Sequence, residues 1–281
     1  MEGSMNLSMW IFSDWFGDEV ESREISSGRM CIEGIRLYSE EADLNRRILY
    51  IGTSDSFFHD GRKNIILKNQ NDIITLKSED LISSVNKVND AFFYFNYWYN
   101  KCTSVLKDGG TLQELLELST EMFPTPVIIV DSAQTFVAIS SPKASFQDSN
   151  LWKDSVSSGH VPDEMLKQFN LAHQDCYAYT GIFPVDPEFF FVKSYCKHIF
   201  NDSSRCASVI LKVPGEDYSQ GRLQIFDVFT NLVRDWIIAF GEEDSVFRIQ
   251  SYFAKALSGE ENGINGMNRQ TSLFGWDNGC T

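Results

Sequence analysis

The stretch LISSVNKVNDAFFYFNYWYNKCTSVL, residues 81 to 106, places apolar side chains at Leu81, Val85, Val88, Phe92, Phe95, Tyr99, Cys102 and Leu106, in alternating steps of four and three. That is a heptad seam, the period of a helix that meets a second helix along its length. Ser78 stands where an N-cap belongs, Glu79 and Asp80 put negative charge on the positive end of the helix dipole, and Asp108-Gly109-Gly110 stops the run. Phe93, Tyr94, Tyr97 and Trp98 widen the apolar stripe. Burying each large apolar side chain contributes roughly 1.5 to 3 kcal/mol, which outweighs the modest helix propensity of so many aromatic and Asn residues. Two readings stand: an amphipathic helix buried inside one monomer, or a dimerising, signal-carrying coiled-coil helix between two domains. The strictness of the period favours the second.

Working outward, the 281 residues are 43% hydrophobic and 22% charged, enough to bury a core and to divide into two domains. Lys and Arg total 24 against 39 for Asp and Glu, a formal charge of -15, so most of the surface repels a polyanion such as DNA. Cysteines 31, 102, 176, 196, 206 and 280 form no C-x-x-C pair, and the opening residues lack the order of a signal peptide. Both facts point to a reducing, cytoplasmic setting. Apolar runs such as Val127 to Val130 fall short of the roughly 18 residues that span a bilayer, so no membrane role is expected.

Residues 1 to 77 read as a small α+β domain. Met9-Trp10-Ile11-Phe12 and Trp15-Phe16 anchor a first helix, and strands are expected at Cys31 to Tyr38, Arg47 to Gly52, Ile65 to Leu67 and Ile73 to Leu76, the last two joined by a Lys68 to Asp72 loop. Residues 78 to 110 form the connecting helix. Residues 111 to 240 form a second module that opens on Thr111-Leu112-Gln113-Glu114, a capping box, and a helix ended by Pro124 and Pro126. Val127 to Val130 and Thr135 to Ile139 make a hairpin of a central, doubly buried kind around Asp131-Ser132-Ala133-Gln134. Pro162 to Phe169 reads as a short helix.

Two longer strands, Phe189 to Ile199 and Arg205 to Val213, flank Asn201-Asp202-Ser203-Ser204. If Phe200 pairs with Arg205, one face carries Phe190, Val192, Ser194, Cys196 and His198 opposite Ala207, Val209, Leu211 and Val213, while Lys193, Tyr195, Lys197, Ser208 and Lys212 face water or a helix. Ser194, Cys196 and His198, with Phe190, are then polar groups and an aromatic turned into an apolar concavity, the pattern of a small-molecule pocket. A helix follows over Gln220 to Phe240, with Phe226, Phe229, Val233, Trp236 and Phe240 at helical spacing. Residues 241 to 281 read as one more helix, through Val246, Ile249, Phe253 and Ala256, and an incomplete tail.

His173, Cys176, Cys196, His198 and Cys206 are the one cluster of metal-ligand types, without a recognised ligand spacing, and read as core thiols and histidine rather than a metal site. There is no G-x-S-x-G, and the paired carboxylates Glu40-Glu41, Glu242-Glu243 and Glu260-Glu261 lie in turn-like contexts. No catalytic residue and no cofactor are expected.

The Met9-Trp10 opening, the Leu49-Tyr50-Ile51-Gly52 strand, the aromatic helix broken before Leu112, the Pro126 to Asp131 hairpin, and Phe253 to Gly259 with Leu273-Phe274-Gly275-Trp276 resemble the sensory half of PucR/CdaR-type bacterial transcription regulators. The resemblance implies a PAS/GAF-like sensor, a small metabolite as ligand, no catalytic residues, and DNA binding through a helix-turn-helix that this sequence lacks. Residues 241 to 281 hold three basic and six acidic side chains, which excludes a recognition helix there. The expectation is a homodimeric sensor, either a truncated regulator or free-standing. Alternatives are a small enzyme or haem- or flavin-binding protein on the same module, and a ligand-free assembly adaptor.

Overall fold

Alternating apolar residues and turn chemistry build two sheets, which the computed structural model describes for residues 4–40, 44–131, 136–141, 179–185, 193–201, 204–213, 215 and 217–241. The architecture is α+β, with two mostly antiparallel five-stranded sheets and one long helix. The described residues group into two compact units, the first within Met1–Ser104 and Tyr218–Phe226, the second within Val105–Asp217 and from Asp227 onward. The long helix falls mostly in the first of these units, as far as Ser104.

In the first unit, α1 (Met9–Phe16) is capped by Ser8, whose hydroxyl oxygen accepts from the Ile11 amide at 3.2 Å. The strands are β1 (Val20–Glu24), β2 (Gly34–Leu37), β3 (Ile48–Thr53), β4 (Ile65–Asn69) and β5 (Asp72–Leu76), with the short α2 (Ser54–Phe58) after β3. They lie in the order β1-β5-β4-β3-β2, and β2 runs parallel to β3 while every other pair is antiparallel. Leu49, Ile51, Leu67, Ile74 and Leu76 are fully buried. Strand β1 was not foreseen from its VESRE sequence, which has no apolar alternation; it is an edge strand, exposed at every position but Val20. The loop expected over residues 68 to 72 is a tight turn, Asn69 pairing with Asp72 and Gln70 taking a left-handed φ of 52°.

That turn is held from both sides. Asn69 donates to the carbonyls of Arg46 and Ile48, each at 2.9 Å. The Asp72 carboxylate, 3% exposed, accepts from the amides of Ser26, Ser27 and Gly28 and from the Ser26 hydroxyl at 2.8 to 3.0 Å. Burial alone disfavours the charged form, but the bonds from Ser27, Gly28 and Ser26 outweigh it and hold the carboxyl below the usual aspartate range. Gly28 also offers its carbonyl to Gln224 at 2.7 Å.

The long helix α3 (Leu81–Lys107) starts and stops where the sequence places it. Its N-cap is Asp80 rather than Ser78: the Asp80 carboxylate accepts from the Ser83 amide at 3.0 Å, and the Ser78 oxygen accepts from the Asp80 amide at 3.0 Å. Gly109 takes a left-handed φ of 69°, and the Gly110 amide returns to the Val105 carbonyl at 2.8 Å, a Schellman closure.

In the second unit, Thr111 and Glu114 form the expected capping box at the head of α4 (Leu112–Leu118). The strands β6 (Val127–Asp131), β7 (Phe136–Ile139), β8 (Phe183–Val185), β9 (Ser194–Asn201) and β10 (Ser204–Lys212) are antiparallel throughout, in the order β7-β6-β10-β9-β8. Strand β6 is buried along its whole length, as a central strand should be, whereas β7 lies at the sheet edge and is mostly half-buried. The helix α5 (Gln220–Phe240) matches its expected span, with Phe226, Phe229, Val233 and Trp236 buried. Trp236 Nε1 donates to the Gly110 carbonyl at 2.7 Å. The helices expected at 162–169 and from 246, the tail, and Phe190 lie outside the described residues.

Candidate functional site

The β9–β10 ladder begins in the expected register, with Arg205 opposite Phe200. Cys206 is then an extra residue, so Ala207 faces Ile199 and the register beyond it is shifted by one. His198 therefore stands opposite Ser208, Cys196 opposite Ile210, and Ser194 opposite Lys212. Partners in an antiparallel ladder point to the same face. Ala207, Val209 and Leu211, expected to share the face of Ser194, Cys196 and His198, lie on the other one, and Ser208 and Lys212 take their places. The bulge also leaves Arg205 on the same face as Ser208, three residues on. Nothing in Arg205-Cys206-Ala207-Ser208 marks a bulge, since it contains neither Gly nor Pro.

The structure does bring Ser194, Cys196 and His198 together on one buried face. His198, 4% exposed, has Nδ1 2.8 Å from Ser208 Oγ. Arg205 Nη1 lies 3.4 Å from the same oxygen, and a guanidinium can only donate. The Ser208 hydroxyl has one proton and two lone pairs, so it accepts from Arg205 and either donates to or accepts from Nδ1, according to the imidazole tautomer. Phe183 and Phe200 stand beside the imidazole, at ring separations of 5.0 and 6.3 Å. Lys212, 1% exposed, is among the largest fully buried side chains, and its carbonyl is fixed by the Thr125 hydroxyl at 2.6 Å. Sequence reasoning assigned Ser208 and Lys212 to the opposite face and did not single out Arg205.

The reverse face is covered as expected by a helix: Lys197 Nζ reaches Asp227 at 2.7 Å and Asn231 at 3.0 Å on α5. At its margin Lys193 pairs with Asp217 at 2.6 Å, and this bond holds the Asp217 carboxyl below its usual range. The Tyr195 hydroxyl, pushed up by burial and then by Asp217, lies 3.3 Å from the same carboxylate. Burial also pushes up the Cys206 thiol, which donates to the Ile199 carbonyl at 3.3 Å. Such a thiol is a poor nucleophile.

The heptad seam of α3 is divided by the fold. Val88, Phe95 and Cys102 are buried within the chain itself, while Leu81, Val85, Phe92, Tyr99 and Leu106 are half-buried. Part of the seam meets α1: the Phe12 and Phe92 rings lie 5.5 Å apart, Trp15 and Phe95 5.7 Å, and Trp15 Nε1 donates to the Lys87 carbonyl at 2.9 Å. The three buried seam residues are covered within the chain itself. The outward side carries Ile82, Phe93 at 76% exposure and Tyr97 at 64%. A shallow groove lies beside α3 by Trp15, Asp80 and Lys87, where Asp80 caps the helix and Lys87 is paired with Glu19.

Among the described residues no group of three or more His, Cys, Asp or Glu could hold a metal ion, and no helix is long and apolar enough to cross a membrane. His173 and Cys176 lie outside those residues. No protein-family model matches this sequence, and no curated protein matches it either.

Proposed function

We propose that this chain is a small-molecule-sensing regulatory protein, built like the sensory half of a PucR/CdaR-type regulator, with a PAS/GAF-like receptor in its second unit. The observation that carries this reading is the gathering of Ser194, His198, Ser208 and Lys212, all buried, on one face of the β9–β10 ladder. Burying so many polar groups costs stability unless each is bonded. A core serving only stability would fill that face with apolar residues, as the chain does at Leu49, Ile51 and Leu67. Donor groups on an otherwise apolar surface are the composition of a ligand site. The readout is a homodimer formed through the outward side of α3, whose pairing responds to ligand only if the two arrangements bind it with different affinities.

A thermal-shift screen of the full chain against metabolites, followed by sedimentation velocity with and without each hit, tests this. The expected result is a saturable rise in Tm with a change in the monomer–dimer equilibrium. A screen that moves nothing favours an assembly adaptor, and a Soret or flavin band in the purified protein favours a cofactor protein.

An enzymatic reading has one specific observation behind it, the Ser208–His198 pair at 2.8 Å. A nucleophilic serine needs its base, an orienting group and donors for the oxyanion, around a point a substrate can reach. Ser208 is buried in mid-strand, and Arg205 donates to its oxygen. Both facts favour the binding role.

A further inference from the structure

We propose that the outward side of α3 takes a second copy of this chain laid antiparallel, the two helices crossing halfway between Phe93 and Tyr97; this rests on the homodimer of the reading above. Asn86, Asp90, Phe93, Tyr97, Asn100 and Ser104 are exposed. They recur in alternating steps of four and three, so they form a second heptad line, turned away from the buried line through Val88, Phe95 and Cys102. At 76% and 64% exposure, Phe93 and Tyr97 leave roughly 300 Å² of aromatic surface in water on each protomer. Pairing two copies covers both aromatic pairs and the polar positions flanking them, along about 27 Å of helix from Asn86 to Ser104. That brings the contact towards the roughly 1,200 Å² at which specific interfaces begin.

Charge sets the direction. In a parallel pair like positions meet, so the Asp90 carboxylate would face its own copy and repel it. In an antiparallel pair, positions equally far from the midpoint meet: Phe93 packs on the partner's Tyr97, Asp90 faces the partner's Asn100, and Asn86 faces the partner's Ser104. Two-fold symmetry repeats each contact. The Asn100 amide then donates to the partner's Asp90 carboxylate, where the parallel arrangement offers only a second acceptor. Lys101, whose ammonium sits over the Tyr97 ring of its own chain at 4.7 Å, adds positive charge beside the partner's Asp90. The helix dipoles also oppose each other in this arrangement, so unlike ends lie together.

The test is oxidative cross-linking of the full chain carrying Asn86→Cys, Ser104→Cys or both, with the parent as control for its own cysteines. The two positions lie about 27 Å apart on one helix, too far for a disulfide within a chain. The expected result is a linked dimer in the double variant and in an equimolar mixture of the single variants, and none in either single variant alone. Sedimentation equilibrium of Asp90→Asn supplies a second measurement that needs no new thiol. The dimer should weaken by roughly tenfold as the bonds to the carboxylate are lost, whereas a parallel pair, relieved of repulsion, would tighten. Linkage in a single variant alone, no linkage in the double variant, or a tighter Asp90→Asn dimer overturns the antiparallel arrangement while the sensing reading stands on its ligand screen. A monomeric parent removes this interface together with the dimer of that reading. Linkage in the double variant alongside a metabolite screen that moves nothing supports the interface and removes the sensing role.

Discussion

His198 Nδ1 lies 2.8 Å from Ser208 Oγ across a ladder whose register is displaced by one extra residue, Cys206. Without that residue the two side chains would point to opposite faces of the sheet. The candidate site is therefore a product of the bulge as much as of the residues that line it. Ser208→Ala removes the hydroxyl and leaves a buried imidazole nitrogen and a guanidinium short of a partner. We expect a loss of about 1 to 3 kcal/mol in urea unfolding. His198→Phe added to it should cost less than the sum of the two changes, since both act on one bond.

Asp72 gives the first unit an acid-sensitive joint. Its folded pKa is depressed, so its contribution is fully present above the unfolded value of about 3.9 and is lost as pH falls through the lower folded value. Asp72→Asn should lower stability near neutral pH by about 2 kcal/mol and flatten the stability profile on the acid side. A mutant whose acid limb parallels that of the parent would rule out Asp72 as its source.

Gly28 has a left-handed φ of 53°, and a Cβ there would lie 2.1 Å from the Trp10 ring. Gly28→Ala is expected to cost about 3 kcal/mol or more, combining backbone strain with overpacking. Gly109→Ala is the comparison, because its φ is 69° but nothing lies within 4 Å. It should cost only about 1 kcal/mol. Equal losses in chemical denaturation would show that the Trp10 contact is immaterial.

The outward side of α3 separates dimerisation from folding. Phe93→Asp with Tyr97→Asp changes exposed positions and should leave stability within about 0.5 kcal/mol of the parent, while shifting the sedimenting species from dimer to monomer. Phe95→Asp, at a 5% exposed position, should destabilise the fold itself. An unchanged mass in the double variant, or a monomeric parent, removes the outward side of α3 from any interface.

How much of this was legible in the sequence depended on range. The limits of α3, the Thr111–Glu114 capping box and the span of α5 were all readable, because helix periodicity and caps act between residues three or four apart. Asp80 displaced Ser78 as the cap only because both are capping residues two positions apart. Strand β1 was hidden because an exposed edge strand needs no apolar alternation, and its pairing comes from β5, about fifty residues away.

The sequence by itself determined the α+β class, the long helix and the alternation that keeps Ser194, Cys196 and His198 on one face, since each follows from local geometry and burial preference. Only the tertiary structure decided that α1 would meet Phe92 and Phe95 on the heptad seam, and that Ser208 and Lys212 would join His198. Both outcomes depend on packing and pairing between segments whose relative register no local pattern encodes.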